Sequence, residues 1–341
     1  MTADLLRGLA AAARAAAHRA DEPCTCPDDG SARTPAGTSA PALVDTPAEI
    51  SDARTLADRP DGTVVRHGGV VAKAHAPDTD RAGLAARLAV AARLDGVLLA
   101  PLDPAPAPLH DRLVTLWPYG TPVDPDDPDA APWEAAAGLL ARLHRAPAGP
   151  DPSGGRPLPP MRGPVKAVRA IRRMAAAGPH PAAPVVLRAW AGLPGWARDR
   201  APMPDATTLC HGDLHLGQLV RHPAAEGPWR LIDVDDLGVG VAAWDLARPA
   251  AWYACGLLPP DAWTRFLDAY RAAGGPAVPA AGDPWPALDV PARALTVQTA
   301  ALAVAKAVAA GRPLDEVESC VIDACDRMSG LPPELDGAFP S

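Results

Sequence analysis

Asparagine is missing from this chain altogether, and lysine nearly so: of 32 basic residues only Lys73, Lys166 and Lys306 are lysines. Phenylalanine occurs twice and isoleucine four times, against a surplus of Ala, Pro, Arg and Gly. We read this as the imprint of GC-rich codon usage. Under that bias a disfavoured residue is retained where something holds it, which marks the three lysines and the only two glutamines, Gln218 and Gln298, for attention. Basic runs are missing as well. The formal net charge is −8, and no cluster of Lys and Arg exists to neutralise a phosphate backbone, which excludes nucleic acid as a partner. No apolar stretch reaches about 18 to 20 residues without a charge, so no membrane-spanning helix and no membrane partner are expected. Arg7, Arg14 and Arg19 interrupt the opening residues where a secretory signal would need a continuous apolar core. Six Cys are too few for a disulfide framework in a chain this long, so a reducing cytoplasm is the expected compartment. Cys24 and Cys26 could seed a metal site, but no paired Cys or His follow at zinc-like spacing.

What is present falls into three stretches. Ala3 to His18 carries Leu5, Leu6, Leu9, Ala12 and Ala13, a weak apolar stripe at helical spacing. From Asp21 to about Pro41 there is almost nothing to bury, which reads as a disordered linker, so residues 1–45 are set apart. A small β-rich region of residues 46–116 follows. Thr63–Arg66 and Val70–His75 are β-rich runs joined by His67-Gly68-Gly69, a hairpin, and the Arg59-Pro60-Asp61-Gly62 turn implies a strand before them. Asp78-Thr79-Asp80 signals the start of a helix carrying Leu84, Leu88, Ala91 and Leu94, and Leu113–Trp117 is a further strand. Residues 117–341 turn helical, with helices expected over Trp133–Arg145, Pro164–Ala177, Val185–Arg198, Pro260–Ala273, Pro291–Ala310 and Leu314–Met328. Two short β-like runs, Gln218–Arg221 and Trp229–Val234, interrupt them.

Around those two runs lies the chemistry. Leu209-Cys210-His211-Gly212-Asp213-Leu214-His215-Leu216-Gly217-Gln218 is followed by Leu231-Ile232-Asp233-Val234-Asp235-Asp236 and then by Trp244-Asp245-Leu246-Ala247. Asp213 is expected on a loop and Asp233 at the end of a short strand, with the carboxamide of Gln218 between them. A hard cation such as magnesium takes oxygen ligands, usually one or two carboxylates together with substrate phosphates, and Asp233 and Gln218 meet that demand, with Asp235 as a further candidate. A second carboxylate, close but not bound to the metal, orients an attacking hydroxyl and accepts its proton in phosphoryl transfer; Asp213 fits that part. Taken singly, each residue has a plain structural reading: Lys73 as a solvated edge charge, His211 as a hydrogen bonder, Asp235 and Asp236 as an acidic turn.

In this order and spacing the residues resemble the aminoglycoside phosphotransferase and choline kinase-like family, and His211–Gln218 is most similar to the bacterial maltokinase form of the motif, which also carries Gln. The resemblance runs from about residue 50 to 310. It implies an α+β, two-lobed, protein-kinase-like fold, with a small antiparallel β-sheet N-lobe bearing one helix and a larger, mostly helical C-lobe. It implies an ATP- and Mg2+-dependent kinase that transfers the γ-phosphoryl group to a hydroxyl of a metabolite, sugar or aminoglycoside-like acceptor. By the same resemblance Asp213 is the catalytic carboxylate, His211 braces its loop, and Gln218 and Asp233 hold the metal. Lys73 contacts the α- and β-phosphates, the turn of Arg59, Asp61 and Gly62 covers them, and the hinge at residues 114–119, with Thr115, Leu116 and Trp117, offers backbone groups to the adenine edge. Asp245 buttresses the catalytic loop. Acceptor contacts are expected from residues 160–200 and 260–330, where Asp323 and Asp326 could face a cationic acceptor. Two departures stand out. Most of the family has Asn where Gln218 stands, and no Glu occurs between Glu49 and Glu134, leaving Asp78 or Asp80 as the available partners for Lys73. The missing Glu motivates the alternative, a pseudokinase that binds nucleotide or a partner without turnover.

Overall fold

The structure, a computed structural model, describes residues 2–19, 53–59, 61–149 and 157–329. The linker expected over Asp21 to Pro41, the Cys24–Cys26 pair and Pro60 lie outside them. The chain divides into two compact units, one ending at Thr121 and including Arg221–Pro228, the other formed by Pro122–Val220 and the chain from Trp229 onward.

The first unit holds helix α1 (Thr2–Arg19), strands β1 (Ala53–Arg59), β2 (Gly62–His67) and β3 (Val70–His75), helix α2 (Arg81–Arg93), and strands β4 (Ala107–Leu109) and β5 (Arg112–Pro118). They make a five-stranded sheet in the order β1-β2-β3-β5-β4, all neighbours antiparallel. Four strands were expected, three about the hairpin and one over Leu113–Trp117; the addition is β4 at one edge. At the hairpin His67 pairs with Val70 and Gly68 adopts φ 55°, a conformation glycine enters without the Cβ penalty. Alternation along the strands sends Val65, Val70, Ala72, Ala74, Val114 and Leu116 to one face. Helix α1 covers that face with Leu5, Leu9, Ala13, Ala16 and Ala17. Lys73, one residue out of phase, therefore belongs to the opposite face. The sequence gives α1 an apolar stripe without saying what it meets; its partner is this sheet. Helix α2 begins where expected, with the Asp80 carboxylate accepting from the Ala82 and Gly83 amides.

The second unit begins at its boundary with the short strand β6 (Thr121–Pro122) and continues through α3 (Trp133–Arg145), α4 (Gly163–Ala177), α5 (Ala183–Ala191), β7 (Thr208–Cys210), β8 (Leu219–Arg221), β9 (Trp229–Leu231), β10 (Gly238–Gly240), α6 (Ala243–Ala254), α7 (Pro260–Ala272), α8 (Trp285–Ala310) and α9 (Glu316–Ser329). Helix α8 is its axis, packing against α4, α5, α6 and α9 through a run of Ala, Leu and Val that is buried around most of its circumference. Two expected helices have different limits. The helix expected over Val185–Arg198 ends at Ala191, because Pro194 cannot extend it, and only a single 3-10 turn follows at Trp196–Arg198. Helix α8 begins at Trp285, with Pro286 in its first turn, so Pro291 is a tolerated interior residue rather than the start. Among the described residues no helix is long and apolar enough to cross a membrane.

If α1 is an integral layer of the first unit, Leu9→Ala should cost about 2 to 4 kcal/mol of stability, the usual range for truncating a fully buried leucine. Chemical denaturation checks this, with Leu6→Ala, only partly buried, as the milder control.

Candidate active site

Two glycines and a buried carboxylate build the centre of the second unit. Strands β7 and β10 pair antiparallel, with Cys210 opposite Gly238. The loop leaving β7, His211 to Gly217, and the loop entering β10, Asp233 to Leu237, are therefore neighbours. Gly212 adopts φ 84°, and a Cβ there would sit 2.4 Å from the Asp236 carbonyl oxygen, so no other residue fits between the two loops. Asp245, on α6 and fully buried, holds the first loop from behind. Its Oδ2 accepts from the His211 amide at 2.6 Å and its Oδ1 from the Gly212 amide at 2.7 Å. His144 on α3 bonds Asp245 Oδ2 through Nε2 at 3.0 Å and the Tyr270 hydroxyl through Nδ1 at 2.7 Å, while that hydroxyl accepts from the Ala277 amide. Burial raises the Tyr270 phenol well above its ordinary range, so it stays protonated. His144, Cys210 and Asp245 lie close enough to suggest a metal site, but the ring nitrogens and both carboxylate oxygens are already bonded, and burial raises the Cys210 thiol well above its ordinary range. The cluster is a hydrogen-bonded brace.

Asp213 follows two residues after the brace. Its Oδ1 accepts from Arg248 Nη2 at 2.9 Å, and its Oδ2 lies 2.5 Å from Lys166 Nζ. Arg248, one turn after Asp245 on α6, also donates from Nε to the Leu214 carbonyl. Burial favours the neutral acid, yet Lys166 and Arg248 outweigh it and hold the Asp213 carboxyl below the usual range. Lys166 also reaches Asp236 Oδ2 at 2.7 Å. For Asp236 burial prevails over Lys166, and its carboxyl is raised. Burial opposes the charge of Lys166, but Asp236 and Asp213 more than compensate and raise it. His215 is pushed down to about 4, chiefly by burial, so it is neutral near pH 7.

The residues expected to hold a metal lie beside this group. Asp233 is not the last residue of a strand: β9 ends at Leu231, and Asp233 stands two residues later with φ 66°, a left-handed conformation uncommon for a residue with a side chain. Gln218 is tied to this segment: its main-chain carbonyl accepts from the Ile232 amide at 2.9 Å, and its side-chain Nε2 donates to Asp233 Oδ2 at 3.4 Å. The amide of Asp235 donates to Asp233 Oδ1 at 3.3 Å. The His211 ring, fully buried, bonds the Ile232 carbonyl through Nε2 at 2.8 Å and so links the two loops. A carboxylate and a carboxamide oxygen are the donor set a hard divalent cation accepts.

The nucleotide-binding residues expected elsewhere lie in the first unit. Lys73 is on β3 opposite Val64 and Thr115. Gly62 is near it, since a Cβ there would meet Lys73 Cε at 3.8 Å, and Asp61 lies in the tight turn that Arg59 enters. Asp80 serves the α2 cap described above, and no acidic residue occurs within α2, which carries the buried Arg87 instead. The expected hinge is mostly strand. The Leu116 carbonyl accepts from the Leu102 amide at 2.8 Å, so Leu116 points away from β3 while Thr115 and Trp117 point their backbone groups into the ladder. The Thr115 hydroxyl is shared between His75 and the Trp117 indole. Of the three, Leu116 alone turns its main-chain amide to the side away from β3. Asp323 and Asp326 are exposed on α9, and Asp326 pairs with Arg188. The sequence reading missed Arg248, Asp236 as a partner of Lys166, and the His144–Tyr270 support. Arg248 had a signal: it follows Asp245 by three residues, on the same helix face.

The profile of the phosphotransferase enzyme family matches residues 63–285, well over half of the chain and including both loops. The chain belongs to the phosphotransferase enzyme family. It is thus a transferase, and its antiparallel sheet unit and helical unit are those of the protein-kinase-like fold. Solved structures share it. A thermostable mutant of aminoglycoside phosphotransferase APH(4)-Ia, in ternary complex with AMP-PNP and hygromycin B, is 15% identical, with 82% of this chain and 95% of that one covered at a TM-score of 0.51. Spectinomycin phosphotransferase APH(9)-Ia, in complex with ADP and spectinomycin, is 11% identical over 82% of this chain and 90% of its own, with a TM-score of 0.51. Choline kinase from Cryptosporidium parvum Iowa II is 11% identical over 83% and 90%, again at 0.51. No curated protein matches the chain in sequence. At these identities the likeness establishes this phosphotransferase's fold, and its chemistry has to be argued from its own residues.

The depressed His215 fixes the sign of one pH effect. An unfolded histidine takes a proton near 6.5 and this one only near 4, so between those values the unfolded chain binds more protons and stability falls as the pH drops. His215→Gln should flatten the fall in unfolding free energy between about pH 6.5 and pH 4, read from denaturant titrations across that window.

Proposed function

We propose that this phosphotransferase is an ATP- and magnesium-dependent kinase that moves the γ-phosphoryl group to a hydroxyl of a small-molecule acceptor, a sugar, an aminoglycoside-like compound or another metabolite. The observation that carries the reading is the placing of the carboxylates: Asp213 is held between two cations, and Asp233 stands beside the Gln218 carboxamide. Magnesium, held by Asp233 and Gln218 with Asp235 close by, would supply charge neutralisation to the triphosphate.

The protein's own part is positioning. Asp245 fixes the loop through its amides, and the loop presents Asp213. Asp213, kept ionised, accepts the hydrogen bond of the acceptor hydroxyl and takes its proton as the bond to phosphorus forms. Little basicity is required, because proton loss comes late in a loose transition state. Neutral His215 adds no charge beside it at neutral pH. Lys73, on the face of the sheet opposite α1, is the cation offered to the α- and β-phosphates, and the turn of Arg59, Asp61 and Gly62 is the backbone beside it. Leu116 offers its amide to the adenine edge.

The test is ATP consumption by the full chain over a panel of hydroxyl acceptors, with and without magnesium. Asp213→Ala is expected to lower kcat by roughly 10²- to 10⁴-fold, the range for loss of a general base, and Asp233→Ala to abolish the magnesium response. Equal magnesium-independent background in wild type and both variants, with ATP bound but no acceptor phosphorylated, would instead support a nucleotide-binding protein without turnover.

A further inference from the structure

Lys166 is one of three lysines in 341 residues, and the phosphoryl-transfer reading counts only its charge beside Asp213. It is the fourth residue of α4, and the start of that helix is stitched to the second loop. The Met161 amide donates to the Val239 carbonyl at 3.0 Å and the Arg162 amide to the Asp236 carbonyl at 3.1 Å. Two close approaches require glycine. A Cβ on Gly238 would lie 2.4 Å from the Pro159 carbonyl oxygen, and one on Gly163 would lie 2.2 Å from Trp244 Nε1, on the residue before Asp245. Behind this turn Ala167, Ala170 and Met174 are buried on the face that α8 covers. The backbone therefore delivers the lysine to a fixed place.

At that place its ammonium bridges Asp213 Oδ2 and Asp236 Oδ2 at 2.5 and 2.7 Å. Arg248 comes from α6 to the other oxygen of Asp213, and Arg162 stands 3.6 Å from Asp236 Oδ1. We propose that Lys166 is a positioning residue for phosphoryl transfer, holding the second oxygen of Asp213 so that the plane of its carboxylate is fixed from two helices at once. The inference rests on the kinase reading of Asp213. Arg248 alone would leave the carboxylate free to turn about its bonded oxygen; a second donor on the other oxygen removes that freedom. An oxygen that accepts one donor keeps a lone pair for the acceptor hydroxyl. An ammonium has three donors, the two carboxylates take two, and the side chain is 27% exposed, so the third can meet an oxygen of an incoming substrate. Asp236, which no other part of the mechanism uses, is the second anchor that keeps the ammonium in place. Reserving a scarce lysine and a buried carboxylate for stability alone would be a poor bargain, since a buried ion pair contributes little net stability.

The experiment compares the full-length wild type with Lys166→Met, which keeps the aliphatic stem, and Lys166→Arg, which keeps the charge. Two readouts are taken: a crystal structure of each, and steady-state Mg-ATP turnover with the best acceptor of the panel, or with water where none is found. In Lys166→Met the Asp213 carboxylate should leave its orientation while α4 and α8 superpose on wild type. Its kcat should fall at least tenfold with the KM for ATP unchanged within twofold, and Lys166→Arg should recover most of the loss. An Asp213 that keeps its orientation in Lys166→Met, or a displaced Asp213 with kcat intact, overturns the proposal; so does a loss that appears in the KM for ATP. Should wild type turn over no Mg-ATP at all, the kinase reading fails, and the crystal structures alone then decide whether Lys166 holds Asp213.

Discussion

One buried carboxylate holds the site together. Asp245 uses both oxygens to accept the amides of His211 and Gly212, and charge-assisted bonds of this kind are among the stronger ones a protein makes. The reason it must be charged and braced is local. Gly212 turns through a positive φ to pass the Asp236 carbonyl, so the two amides there cannot join a strand ladder and would otherwise be buried without partners, at about 1 to 3 kcal/mol each. His144 and Tyr270 complete the carboxylate's own demand and extend the brace across α3 and α7. A loop fixed in this way can carry Asp213 at its tip without adding a conformational search to each turnover.

Charge around that tip is arranged by pairs rather than by net sign. The chain carries a net −8, yet Asp213 and Asp236 are met by Lys166, Arg248 and Arg162, whereas Asp233 sits with neutral Gln218. Two acidic neighbourhoods thus adjoin, with Asp233 and Asp236 three residues apart in sequence. The first is compensated by the protein itself; the second has the oxygen donors that suit a divalent cation. Net charge, the quantity composition provides, says nothing about this division.

The order of these pieces was legible because local spacing carries it. His211-Gly212-Asp213 with Gln218 and then Asp233 defines two loops flanked by short runs, and the periodicity of α3, α4 and α7 is strong enough to read directly. Partnerships across long separations were not legible. His144 meets Tyr270 over 126 residues and Asp245 over 101, and α1 meets strands that begin only at Ala53. Lys166 stood out by its scarcity, but its target depends on how two glycines, Gly163 and Gly238, let the start of α4 approach the second loop. Proline misled in two ways: Pro291, read as a helix start, lies inside α8, and Pro194, passed over within an expected helix, follows its actual end. The strand ladder of β5 likewise took up backbone groups at Thr115 and Trp117 that an isolated segment would have left open.

The Asp213 loop therefore depends on Asp245 as its anchor, and native-state hydrogen exchange of the His211 and Gly212 amides measures that anchor directly. In the intact protein both amides should exchange only with the opening that also exposes the core of α8. In Asp245→Asn, which offers a single acceptor oxygen, at least one of them should exchange by a separate, lower-energy local opening while the α8 amides keep their protection. Unchanged protection of both amides in the variant would contradict the account.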